Sequence, residues 1–168
     1  MDPFGRPLLI IRMAQTADYP AIWAILEPIF RAGDTYTIDS NISQDAALDY
    51  WCDPAHSTFV LEGKGSVFGT YYLKRNQGGG GSHVCNCGFA TSPHARGKGI
   101  ARAMLDHALA EAVRQGFQAM QFNFVVANNT RAIAIWERAG FETIGRLPGA
   151  FLHPTDGKTD ALVMWKDL

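Results

Sequence analysis

Between Thr91 and Leu105 the chain reads TSPHARGKGIARAML: a proline, then a basic, glycine-interrupted turn, Arg96-Gly97-Lys98-Gly99, that runs without a break into a helix-forming segment. Glycine lets a backbone turn left-handed and approach a bound group closely, while the unpaired N–H groups and positive dipole end of a helix attract an anion. The chemistry supported here is the holding of a phosphate or pyrophosphate. No Gly-Lys-Ser/Thr follows at P-loop spacing and no Gly-x-Gly-x-x-Gly is present, which argues against the common mononucleotide and dinucleotide motifs.

A second set of reactive or polar side chains falls in strand-like runs. In His83-Val-Cys-Asn-Cys-Gly-Phe89 the alternation puts His83, Cys85, Cys87 and Phe89 on one face and Val84, Asn86 and Gly88 on the other. Asn86 and Asn123, the latter between Phe122 and Phe124, are polar residues in strands expected to lie in the core and are costly there unless hydrogen-bonded. One reading is that they satisfy strand-edge or loop groups. His83 reads either as a base or as an exposed strand-start residue, and Cys85 and Cys87 either as nucleophiles or as small apolar packing groups.

The elements that position these residues follow from periodicity. A first strand is expected at Leu8 to Met13, after a loose Met1 to Pro7 lead-in. Thr16 or Asp18 caps a helix with its core stripe at Ile22, Ile25, Leu26, Ile29 and Phe30, which Pro28 should kink or shorten. Ser43 caps a second helix, Gln44 to Cys52. Strands Thr58 to Leu61 and Val67 to Leu73 are joined by a Glu62 to Ser66 turn, and glycine-rich Arg75 to Ser82 reads as a flexible hairpin connection. His83 to Ala90 is the fourth strand. The basic turn then feeds a helix through about Arg114 with Gly116 at its C-terminal cap. A buried strand, Gln118 to Val126, a helix capped by Asn128 and Asn129 through Arg138, and strands Glu142 to Leu147 and Asp160 to Trp165 complete an α/β chain with a mixed sheet of about seven strands and about four helices.

With 168 residues, 47% hydrophobic and 18% charged, the chain is expected to form one domain, residues 1–168, with a sizeable core. Lys plus Arg total 15 against 16 Asp plus Glu, which excludes a global electrostatic case for nucleic acid or acidic membranes. Three cysteines without metal-knuckle spacing, no leader-like apolar stretch and no run near the roughly 18 residues of a membrane span point to a reduced cytoplasmic protein without a metal site.

Two spaced motifs resemble the GNAT-type N-acetyltransferase superfamily. Thr91-Ser92-Pro93 running into Arg96-x-x-Gly99-x-Ala101 is similar to its Arg/Gln-x-x-Gly-x-Gly/Ala element. Asn129-Thr-Arg-Ala132-Ile133-Ala-Ile-Trp136-Glu-Arg-Ala-Gly140-Phe141 is similar to its second element. The resemblance covers roughly Val67 to Trp165 and implies the GNAT fold, with a largely antiparallel sheet. It also implies acetyl-CoA as acetyl donor, direct transfer to an amine, and commonly a homodimer. By the same resemblance the backbone from Gly97 through Ile100 to Ala101, with Arg96, Lys98 and Arg102, holds the pyrophosphate. Phe89, Ala90 and Thr91 form the edge that pairs with the pantetheine arm, which Asn129 contacts while it also serves as a helix N-cap.

Two departures concern catalysis. Trp136 stands where many members carry the tyrosine acid, and indole offers no ionisable proton. Trp136 is therefore expected to pack against cofactor or core. The fourth strand also lacks the family's glutamate, so Asn86 and Asn123 are expected to face the gap between strands four and five. There they would hold substrate, a relay water or the developing oxyanion. Gly33-Asp34-Thr35-Tyr36-Thr37 resembles the acceptor loop of phosphinothricin acetyltransferases, and Gln121 to Thr130 resembles proline-analogue acetyltransferases. Both imply a small amino-acid-like amine bound near Asp34, Thr35 and Tyr36. A peptide N-acetyltransferase and a non-catalytic acyl-CoA-binding module remain the alternatives.

Overall fold

A computed structural model describes residues 9–168; Met1 to Leu8, including the expected lead-in and the first residue of the expected strand, lie outside the described residues. The elements are β1 (Ile10–Met13), α1 (Tyr19–Ala32), α2 (Gln44–Trp51), β2 (Ser57–Gly63), β3 (Ser66–Arg75), β4 (Val84–Thr91), α3 (Ile100–Arg114), β5 (Ala119–Val126), α4 (Thr130–Arg138), β6 (Glu142–His153) and β7 (Gly157–Asp167). They build one seven-stranded sheet in the order β1-β2-β3-β4-β5-β7-β6, antiparallel throughout except at β4–β5. The parallel pair is where α3 crosses over, as a parallel connection requires.

Each face of the sheet carries its own core. On one, α3 and α4 pack Ile100, Met104, Leu105 and Trp136 against Tyr71, Cys85, Cys87 and Phe122. On the other, α1 and α2 pack Ile22, Leu26, Phe30 and Trp51 against Val60, Tyr72 and Ala90. Gly69 brings α3 close to the sheet, because a Cβ there would stand 2.8 Å from Met104 Sδ and 2.9 Å from Ile100 Cγ2. The helix N-terminus is thereby seated beside β3 and β4.

Three expectations need correction. Pro28 does not shorten α1, which continues to Ala32 and closes on left-handed Gly33. Pro28 is exposed, so its missing backbone donor falls on the solvent side. Asp18 precedes α1 without a side-chain cap bond to it and is committed elsewhere, accepting from both Arg12 Nη atoms at 2.7 and 2.8 Å. The last two strands are far longer than expected and form one hairpin, with a register shift between Leu147 and Phe151 that absorbs Pro148 and Gly149.

Candidate active site

The site begins with a failure of strand pairing. Asn76 N–H donates to the Val84 carbonyl and Ser92 N–H to the Phe68 carbonyl. With the antiparallel register of β3 and β4, this sends the backbone groups of even-numbered β4 residues to β3. Those of odd-numbered residues turn the other way. On that other side β5 pairs only at Val84↔Ala119 and Cys85↔Met120. Cys87, Phe89 and Thr91 therefore present their backbone to an open gap. β5 leaves β4 at a bulge: it advances from Phe122 to Val125 while β7 advances only from Met164 to Leu162.

Side chains bridge the base of the gap. Asn86 Nδ2 donates to the Gln121 carbonyl at 2.8 Å, Gln121 Nε2 to Asn123 Oδ1 at 2.8 Å, and Asn123 Nδ2 to Asn76 Oδ1 at 2.6 Å. Asn86 thus satisfies a strand-edge carbonyl, as one sequence reading required. Both asparagines also line the cleft above, which has a volume of about 280 Å³.

The cleft joins Thr35 and Tyr36 of the loop after α1, Tyr50 of α2, Tyr72 and Lys74 of β3, Phe89 of β4, Phe122 of β5, and Asn129 and Trp136 of α4. Tyr50 and Tyr72 share a hydroxyl–hydroxyl hydrogen bond of 3.0 Å. The Tyr72 ring reaches across β4 only because position 88 is glycine, since a Cβ there would lie 2.5 Å from it. Burial pushes the Tyr72 phenol far above its ordinary range, so it remains protonated. Trp136, 8% exposed, is wedged between Phe89 and Phe122 at ring-centroid distances of 5.2 and 5.0 Å, and packs as expected.

Other candidates fall elsewhere. Asp34 does not line the cleft; it is exposed and accepts from Thr35 Oγ1. Ala90 directs its side chain into the α1 face, and its backbone groups belong to the β3 ladder. His83 is exposed at the far end of β4 and lines a separate surface pocket. Burial pushes the Cys85 thiol up to about 12 and the Cys87 thiol well above its ordinary value, which suits packing and opposes nucleophilic attack.

Beyond Thr91 the basic turn takes the shape its glycines allow. Gly97 and Gly99 have φ of 79° and 76°, and a Cβ at either would meet nothing within 4 Å, so the concavity is open. Gly99 is the N-cap of α3, and the first intrahelical bond is Ala103 N–H to the Gly99 carbonyl. The N–H groups of Ile100, Ala101 and Arg102 therefore have no intrahelical acceptor. Arg96 and Lys98 are exposed and pair with no carboxylate among the described residues, whereas Arg102 contacts Asp106 at 3.6 Å. This arrangement fits a pyrophosphate. Asn129 caps α4, accepting from Ala132 N–H, and its side of the cleft faces Phe89 across the gap.

A sheet parted beside a glycine-lined helix N-terminus, with an aromatic cleft at the parting, can hold a phosphate-bearing ligand whose far end reaches the cleft. The sequence matches the acetyltransferase (GNAT) family over residues 19–141. It is 35% identical to N-acetyltransferase aca1 of Schizosaccharomyces pombe over 148 residues, covering 78% of this chain and 71% of that protein. A GCN5-related N-acetyltransferase from Kribbella flavida superposes with a TM-score of 0.92 at 38% identity, covering 95% of this chain and 98% of that one. A phosphinothricin acetyltransferase from Sinorhizobium meliloti, solved in complex with acetyl-CoA, shares the fold at a TM-score of 0.83 and 22% identity, over 95% and 88% of the two chains. The chain belongs to the GNAT family of acetyltransferases; it is an N-acetyltransferase whose acetyl donor is acetyl-CoA.

Proposed function

We propose that the acceptor is a small amino-acid-like molecule whose primary or secondary amine takes the acetyl group directly. The observation that carries this reading is the small aromatic-walled cleft of about 280 Å³ at the parted strands, beside the glycine turn. A volume of that order suits a small molecule, with a few polar groups to orient it.

In this reading the donor supplies an acyl group activated as a thioester. The N–H groups of Gly97, Gly99, Ile100 and Ala101, with the Arg96, Lys98 and Arg102 side chains, hold its pyrophosphate; the Lys98 N–H is already given to the Ala95 carbonyl. The Phe89 and Thr91 backbone, with Asn129, holds its amide arm. Asn86 and Asn123 orient the acceptor or the oxygen that gains charge. Among the described residues lining the cleft there is no Asp, Glu or His, so the amine enters unprotonated. The apolar walls and the Lys74 charge both favour its neutral form. Trp136 gives no proton; with a thiol pKa of about 8.5 the donor's sulfur leaves as the thiolate when the nitrogen–carbonyl bond forms and the carbon–sulfur bond breaks, and the proton lost by the acylated nitrogen passes to that thiolate or to solvent.

The test is thiol release across a panel of free amino acids, secondary imino acids, aminoglycosides and peptides. Turnover of free amino or imino acids is expected. Acetylation of peptides alone, or acetyl-CoA binding with no turnover of any amine, overturns the reading. A cytoplasmic location belongs to the same proposal and is supported by three free cysteines; no helix among the described residues is long and apolar enough to cross a membrane. A homodimer is supported by the outermost strand β6, which exposes Ile144, Leu147 and Leu152, and sedimentation tests it.

A further inference from the structure

Lys74 is the only residue with a charged side chain among the described residues that line the cleft. It forms no ion pair among them. Its side chain is fixed by aromatic neighbours: Nζ lies 5.9 Å from the Tyr50 ring centroid and 5.6 Å from that of Tyr72. Those rings meet edge to face at 83° and are tied through their hydroxyls. On β3, Lys74 pairs with Asn86 of β4, which sets ammonium, amide and phenol groups around one end of the cleft.

An aromatic cleft without a cation would attract an ammonium group to its ring faces. Here Lys74 already occupies the faces of Tyr50 and Tyr72, and a second cation would meet like charge with no carboxylate to offset it. A carboxylate, by contrast, finds a positive charge and hydrogen-bond donors in a partly desolvated pocket, where a charge-assisted bond is strong.

We propose that Lys74 is the acceptor's anion anchor, so that the enzyme takes amines bearing a carboxylate or similar anionic group and rejects polyamines, aminoglycosides and the backbone amines of peptides. This rests on the small-acceptor reading and narrows it. Lys74 sets the end of the cleft at which the anion lies, and the amine is turned toward the parted strands.

The experiment compares each amino or imino acid with its own carboxamide, in the full-length wild-type, Lys74→Met and Lys74→Arg enzymes. The wild type is expected to prefer the acid by roughly tenfold or more in kcat/KM, through KM, as loss of a charge-assisted contact implies. Lys74→Met brings the acid-to-amide ratio toward one and Lys74→Arg retains it, with thermal melts confirming that both variants fold. A ratio in Lys74→Met equal to the wild-type ratio overturns the proposal, and so does a wild-type preference for the amide. If no amine is turned over, the small-acceptor reading fails. The anchor is then judged by binding of an N-acetyl amino acid against its amide, read by tryptophan fluorescence: selective binding lost in Lys74→Met upholds it, and equal binding overturns it.

Discussion

The Tyr36 hydroxyl donates to the Phe89 carbonyl at 2.5 Å, joining the loop after α1 to the open edge of β4. Phe89 turns this carbonyl into the gap, so Tyr36 satisfies it where no strand does. Burial holds the Tyr36 phenol far above its ordinary value, and it remains a donor at working pH. Tyr36→Phe leaves that carbonyl without its partner and should cost about 1–3 kcal/mol, a fall of several degrees in Tm. Saturating acetyl-CoA, whose arm is proposed to pair with the same edge, should narrow the difference. An equal deficit with and without acetyl-CoA in calorimetry would count against that pairing.

Gly99→Ala tests the phosphate cradle. The added methyl meets nothing, so any cost arises from the left-handed backbone at φ 76°. A non-glycine residue there costs about 1–2 kcal/mol. Relief of that strain displaces the N–H groups at the start of α3, and KM for acetyl-CoA should rise by about tenfold with kcat less affected. Initial-rate kinetics at saturating acceptor decide it, and an unchanged KM would remove Gly99 from the donor site.

Asn123→Ala removes the link to Asn76 and a polar group facing the cleft. If it helps to hold the acceptor or the developing oxyanion, kcat/KM for the best amine should fall by about tenfold or more. Unchanged kcat/KM would leave Asn123 with the purely structural task of tying β5 to Asn76 at the end of β3.

Arg12 binds Asp18 through both Nη atoms and also reaches Glu62 at 2.8 Å. The Asp18 carboxyl is held below its ordinary 3.8, chiefly by the hydrogen bonds from Arg12. A depressed folded value means that this stabilisation is complete above the unfolded pKa and is lost as pH falls through the folded one. Asp18→Asn should therefore destabilise the protein by about 2 kcal/mol at neutral pH. Urea melts from pH 7 to pH 2 should show the two proteins converging only below about pH 4; a constant difference would assign the effect to packing instead.

The strands and helices were legible because their apolar periods differ, and the cradle because two glycines flank a cation just before a helix. The β6–β7 hairpin was not: Pro148 and Gly149 interrupt the alternation, and only a register shift carries the pairing past them. The cleft's acceptor wall was also hidden. Tyr72 and Lys74 look like alternate residues of an ordinary strand, and Tyr50 like an exposed helix position. Their meeting depends on Gly88, whose missing side chain lets the Tyr72 ring cross a neighbouring strand. The pair Tyr72 and Lys74, two apart and hence on one face of β3, was the signal available.

The two backbone rungs between β4 and β5 have a consequence for the protein's lifetime. Beyond those rungs these strands are joined by Asn86 and by aromatic side chains such as Phe89 and Phe122, so local opening along this line breaks few backbone hydrogen bonds. A ligand lodged there clasps one half to the other and stabilises the folded state by mass action. The acetyl donor would then protect the enzyme that consumes it, and starvation for donor would expose the chain to proteolysis first at this line.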